Sequence, residues 1–217
     1  MEILFVTDFV CPYCIVGKEA MNQALSESGV QADIKIQPFE LTQEPKERVD
    51  TFHDEARREH YKELLKPAKE LGLNVTIPPA VVPRPYTRLA FEGWHYAEKM
   101  GVGTQYADKV YEAYFTLQKD IGQVAVLAEL AVNVGLDSEE FKRVLAEGIY
   151  SQVQKEAVAY AREVLKIRHV PTVYVDGEEI DFQAYQKESW LAFLRGRQKS
   201  AKEQGTENFS CSVDGCG

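Results

Sequence analysis

The sequence predicts an α/β protein whose small sheet is interrupted by an all-helical insertion. Three observations carry this. An apolar run, a helical pattern and an alternating run follow one another near the N-terminus. Residues 87–166 keep helical periodicity throughout. Strand character then returns, closed by a hairpin signal and a last helical pattern.

Ile3 to Val6 is unbroken apolar sequence, as in a strand buried on both faces. From Pro12 the spacing turns helical, with Ile15, Met21 and Leu25 on one face and Gly29 as the stop. Ala32 to Gln37 alternates, with Ile34 and Ile36 on one side, and reads as a second strand. Strand, helix and strand make a βαβ unit, so the two strands should be parallel. Residues 54–71 read as helix broken at Pro67. Residues 77–85, with Pro78, Pro79, Pro83 and Pro85, read as an extended loop.

Five apolar stripes follow, each read as core packing. They are Leu89, Tyr96, Ala97 and Met100; Tyr106, Val110, Tyr114 and Leu117; Val124, Leu127, Ala131 and Val134; Phe141, Val144 and Leu145; and Val153, Ala157, Ala161, Val164 and Leu165. Asp137-Ser138-Glu139-Glu140 starts the fourth helix like a capping box. Pro171 to Val175 is strand-like, Asp176-Gly177 is a two-residue hairpin turn, and Glu178 to Phe182 is the returning strand. Gln183 to Arg197 closes the pattern as a helix with Trp190, Phe193 and Leu194 inward.

This order fits a thioredoxin fold with an inserted all-helical domain. Residues 1–42 and 168–198 would form a discontinuous thioredoxin-like domain, and residues 43–167 the insertion. Residues 199–217 would form a mobile tail.

The chain has 217 residues, 45% hydrophobic and 27% charged, ordinary values for a globular protein. Its net charge of −9 and lack of a basic run argue against nucleic acid or anionic membrane as partners. No run of about 18 apolar residues is present to span a bilayer. Met1-Glu2-Ile3 lacks the charged n-region of a secretory signal, so the chain is expected to be cytoplasmic. The four cysteines fall in two local pairs, Cys11/Cys14 and Cys211/Cys216, which suits thiol chemistry or metal binding better than a disulfide scaffold.

Cys11-Pro12-Tyr13-Cys14 follows a buried strand and opens a helix. Pro12 suits the first helical position, where its missing N–H costs nothing. The free N–H groups and positive dipole end at a helix start favour a thiolate. Cys11 is therefore the candidate nucleophile, nearest the dipole and the more exposed of the two. Cys14, a turn later and more buried, is the resolving thiol. Tyr13 brings no positive charge between them, which predicts a milder oxidant than a histidine there would give. Pro12 and Tyr13 would also touch substrate.

Val170-Pro171, at a strand start facing the pair, suggests a cis bond that exposes the Val170 backbone to an extended substrate. An ordinary trans proline opening an edge strand is the alternative. His169 stabilises the thiolate as an imidazolium or is a plain loop residue. Asp8 either modulates protonation of the buried thiol or caps the helix. His53, His60 and His95 are read as surface or packed residues.

The string Asp8-Phe9-Val10-Cys11-Pro12-Tyr13-Cys14-Ile15-Val16-Gly17-Lys18 resembles the opening of the DsbA-like family, especially its FrnE-type branch. Pro38-Phe39-Glu40-Leu41, Thr87-Arg88-Leu89-Ala90, Val126-Leu127-Ala128 through Gly135-Leu136-Asp137, and Val170-Pro171-Thr172 resemble later segments of that branch. The likeness spans residues 3–197. It implies dithiol–disulfide exchange at Cys11 and Cys14, beside a cis-Pro171 loop, on protein or small-thiol substrates. No cofactor or metal is implied, glutathione being at most a co-substrate, and the chain would act as a monomer or homodimer. The same superfamily holds 2-hydroxychromene-2-carboxylate isomerases and kappa-class glutathione transferases, which typically carry Ser where this chain has Cys11.

Two departures stand out: His169 precedes Val-Pro where the family often has Gly, and Lys166 occupies another frequent Gly position. Cys-Pro-Tyr-Cys is also the glutaredoxin motif, but Asp176-Gly177-Glu178-Glu179 does not supply a glutaredoxin's Gly-Gly turn. Some FrnE-like proteins have a Cys-x4-Cys tail resembling Cys211 to Cys216, which implies a redox relay; an adventitious pair is the alternative. The other functions left open are a glutathione-dependent isomerase or transferase, and a redox-regulated binding protein.

Overall fold

A computed structural model describes residues 1–207, with side chains through residue 198. β1 (Glu2–Thr7), α1 (Pro12–Ser28) and β2 (Asp33–Pro38) form the expected βαβ unit, with β1 and β2 parallel and Ile3 opposite Ile34. α1 stops where Gly29 takes a left-handed φ of 68°. After β2 the chain leaves the sheet until β3 (Thr172–Val175), which pairs antiparallel with β1. β4 (Glu178–Glu179) follows, giving the order β2-β1-β3-β4. Asp176 and Gly177 both have positive φ, 50° and 87°, as the primed hairpin turn requires.

The helices between are α2 (Glu55–Tyr61), α3 (Leu65–Glu70), α4 (Arg88–Lys99), α5 (Gly103–Tyr111), α6 (Val124–Asn133), α7 (Ser138–Ala146) and α8 (Ser151–Ala159). Short π segments prolong α5 and α8. α9 (Lys187–Glu207) packs on α1, while α8 lies against β2. β1 is thus central, with Ile3, Phe5, Val6 and Thr7 fully buried. The sheet and the helical segment share one apolar core: Phe9, just past β1, stacks on Phe91 of α4 with centroids 4.3 Å apart. Among the described residues no helix is long and apolar enough to cross a membrane.

Several expectations need correction. The break in residues 54–71 is a 3-10 turn at Lys62–Leu64, one turn before Pro67. Pro67 cannot donate to the carbonyl four residues back, Glu63, and its ring crowds that carbonyl, so the strain falls there. Ile34 of β2 is 38% exposed, because β2 is an edge strand with an open outer end. Met100, Leu117, Val153 and Val164 are exposed rather than core. On α8 the buried face carries Gln154 and Val158 instead. Gln154 donates to Glu40 Oε1 (2.7 Å) and meets His95 Nε2 (3.0 Å), so a polar network turns that helix away from its aliphatic stripe.

β4 ends at Glu179 rather than Phe182, because Phe182 leaves the sheet to pack edge-on against Trp190, 5.1 Å between centroids. α9 begins at Lys187 rather than Gln183 and runs on through Glu207, so residues 199–207 are helical rather than a loose tail. Ala201-Lys202-Glu203-Gln204 are strong helix formers that carry it on. Cys211 and Cys216 lie outside the described residues.

Candidate redox site

The turn from β1 into α1 places both thiols. Cys11 is the N-cap of α1, in an extended conformation (φ −88°, ψ 117°). Its N–H donates to Asp8 O (3.0 Å), and its carbonyl accepts from Cys14 N (3.1 Å) and Ile15 N (3.4 Å). Pro12 occupies the first helical position, and no side chain caps the helix. The Cys11 sulfur therefore sits where the first-turn amides lack a side-chain acceptor.

Across from α1, the Val170–Pro171 peptide is cis, and the Cys11 thiol donates to the Val170 carbonyl at 3.4 Å. Gly17 of α1 faces this loop, and a Cβ there would meet Pro171 Cγ at 3.4 Å and Ala184 O at 3.5 Å, ordinary contact distances. Lys166 adopts a left-handed φ of 57° just ahead of this loop, a conformation that favours glycine.

Both thiols are free. Cys14 is 0% exposed and Cys11 4%, so the expectation of an open Cys11 is corrected: Val170 covers its sulfur, and it is only slightly more accessible than its partner. Burial pushes the Cys14 thiol well above its ordinary pKa, and the neighbouring Cys11 adds to this. Hydrogen bonds from the Thr7 side chain and the Asp8 backbone work the other way. Thr7 Oγ1 in turn shares a hydrogen bond with the Tyr111 hydroxyl of α5.

Asp8 does not cap α1. Its fully buried carboxylate accepts from Leu41 N (2.7 Å) and Val10 N (3.4 Å). Burial raises its pKa above 3.8, and these bonds, Arg84 and Thr87 offset the rise only in part. The folded state then holds a proton that the unfolded chain has released, so stability falls as pH rises from 3.8 through the raised pKa. Asp8→Asn should remove that fall. Denaturant titrations at several pH values between 4 and 8 should show the variant gaining on the parent as pH rises; a constant difference would contradict it.

Beside the pair lies a cleft of about 530 Å³, walled by Tyr13 and Tyr185, by the Val170–Pro171 loop and by residues after β4. Tyr13 is half-buried, and its ring meets Tyr185 edge-on at 5.4 Å. The Tyr13 hydroxyl donates to Glu63 Oε1 and lies 3.0 Å from His60 Nε2. Burial first, then Glu63, raise the phenol's pKa, so it stays protonated. His169 is exposed and lines the same cleft, its Nδ1 3.4 Å from Thr172 Oγ1.

The fold thus gathers Cys11, Cys14, Val170 and Pro171, with Tyr13 and His169 at the cleft. It also brings in His60 and Glu63 from α2 and the 3-10 turn; the sequence leaves His60 as a surface or packed residue and does not single out Glu63. Nothing in one sequence marks them, since their approach depends on how α2 folds back over α1.

The comparisons agree with this architecture. The protein YwbO of Bacillus subtilis (strain 168) is 36% identical over 176 residues, covering 81% of this chain and 86% of its own. The crystal structure of a probable DsbA oxidoreductase, SCO1869 from Streptomyces coelicolor, matches with a TM-score of 0.75 at 22% identity, over 92% of this chain and 90% of that one. The cytosolic disulfide reductase DsbM from Pseudomonas aeruginosa, solved with GSH, matches with a TM-score of 0.69 at 17% identity, over 92% and 100%. Likeness at such identities shows the fold. The family model of the DSBA-like thioredoxin domain matches residues 2–192, and the chain belongs to that family.

Proposed function

We propose that the protein is a thiol–disulfide oxidoreductase working through Cys11 and Cys14. The observation that carries this is the Cys11 sulfur at the N-cap of α1, in contact with the Val170 carbonyl and backed by the buried Cys14. In the reductive direction the Cys11 thiolate attacks one sulfur of a substrate disulfide. A Cys11–substrate disulfide forms and the other substrate sulfur leaves as a thiolate. Cys14, deprotonated, then attacks the Cys11 sulfur. The second substrate thiolate leaves, and the Cys11–Cys14 disulfide holds the two electron equivalents of oxidation. The oxidative direction is the reverse.

The high pKa of Cys14 keeps it a thiol until Cys11 is committed, which favours this order of events. Val170 and Pro171 position substrate beside Cys11, with Tyr13 and Pro12 flanking it. Protein and small-thiol disulfides are the substrate class. Glutathione as a co-substrate draws support from the DsbM structure solved with GSH. Membership of the FrnE-type branch rests on the residue 8–18 string.

Cys14→Ser tests the proposal. The variant should accumulate mixed disulfides through Cys11 that a reductant releases, read by non-reducing electrophoresis and mass spectrometry. If it captures no thiol partner from a cell lysate or from a model disulfide, the reading fails.

A further inference from the structure

We propose that the cleft beside Cys11 selects disulfides borne on positively charged groups, above all a basic polypeptide segment. This rests on the exchange reaction proposed above and names its substrate class. Three carboxylates line the cleft: Glu63 from the 3-10 turn, and Glu179 and Asp181 from the end of the hairpin. No Lys or Arg is among its described lining residues; the ionisable bases there are His60 and His169.

What matters is that three carboxylates share one cleft with no lysine or arginine in its described lining to offset them. Several acidic side chains elsewhere on the described surface have cation partners, among them Glu59 with Lys62, Asp54 with Arg57, Glu140 with Arg143 and Asp108 with Lys18. Among the described residues none of the three cleft acids has an ion pair, although Lys62 and Lys66 flank Glu63 in sequence and pair with Glu59 and Glu70 instead. Glu63 takes the Tyr13 hydroxyl, a neutral partner that leaves its charge in place.

The rim is also fixed in position. β4 ties Glu179 to Tyr174 in register, and Phe182 anchors the next turn on Trp190. The Trp190 indole N–H donates to Ala184 O at 2.8 Å, closing the segment from the far side. Unpaired negative charge fixed along the cleft wall sets a negative potential for whatever approaches Cys11. A cation next to the substrate cysteine is drawn in, and an anion there is repelled. Glutathione, with two carboxylates and one ammonium, falls on the disfavoured side, so it would serve as the slower partner.

The test uses the reduced full chain and three peptide disulfides identical except for the residue before cysteine: Lys, Ser or Glu. Each rate constant is divided by that of dithiothreitol on the same peptide, which removes intrinsic differences in reactivity. The Lys peptide should exceed the Glu peptide by about tenfold at low ionic strength. That ratio should shrink to roughly twofold in about 0.5 M NaCl. It should also shrink in E179Q/D181N. Equal rates for the Lys and Glu peptides would overturn the proposal. So would a Lys preference unmoved by salt, a comparison that needs no variant. If none of the three peptides is reduced, the exchange reading itself falls, and the selectivity with it.

Discussion

Cys11→Ser is expected to lower disulfide-exchange turnover by about a thousandfold or more, to the level of the uncatalysed reaction. Ser keeps the size and the contact with the Val170 carbonyl, so the fold should persist. A hydroxyl at that position, however, neither ionises near neutral pH nor forms a mixed disulfide. Turnover of a model disulfide, with circular dichroism as the folding control, checks this. Activity within about tenfold of the parent would mean that another sulfur carries the reaction. Cys14 is poorly placed to substitute, being fully buried behind Cys11 with its thiol held protonated.

Trp190→Ala is expected to cost about 3–5 kcal/mol of stability. Trp190 is 0% exposed and packs edge-on against Phe182 and Phe193. Its indole also satisfies the Ala184 carbonyl, which the smaller side chain would leave without that donor. Because α9 packs on α1, the cavity would open behind the helix that carries the cysteines. Urea unfolding measures the cost; a loss below about 1 kcal/mol would contradict the packing described. The hairpin end that lines the cleft should loosen as well, since Phe182 and Ala184 both rest on this indole.

The parts of the fold legible in the sequence are those set by local chemistry. Pro12 and the cysteines mark the start of α1, Gly29 marks its end, and Asp176-Gly177 marks a turn that only positive φ values allow. The apolar run Ile3 to Val6 identified the central strand because no other place in a sheet buries both faces. What stayed hidden depends on contacts distant in sequence. The face that α8 buries is chosen by Gln154, whose partners Glu40 and His95 lie on other segments, and an apolar stripe at Val153 and Val164 points the wrong way.

The same holds at the candidate site. Cys11, Cys14 and Pro171 were visible as residue types in a telling order, whereas His60 and Glu63 arrive only through the path of α2 over Tyr13. The polar role of Asp8 was half visible. Its burial follows from its place between β1 and the cysteines, but its bond to Leu41, 33 residues on, does not.

The central claim is a division of labour between two sulfurs, one at the helix start and one held in reserve beneath it. The reduced chain treated with limiting iodoacetamide at neutral pH, and mapped peptide by peptide, tests this most directly. Carboxamidomethylation should appear at Cys11 well before Cys14, with Cys14 reacting only on unfolding. Modification of Cys14 as fast as Cys11, or faster, would contradict the account.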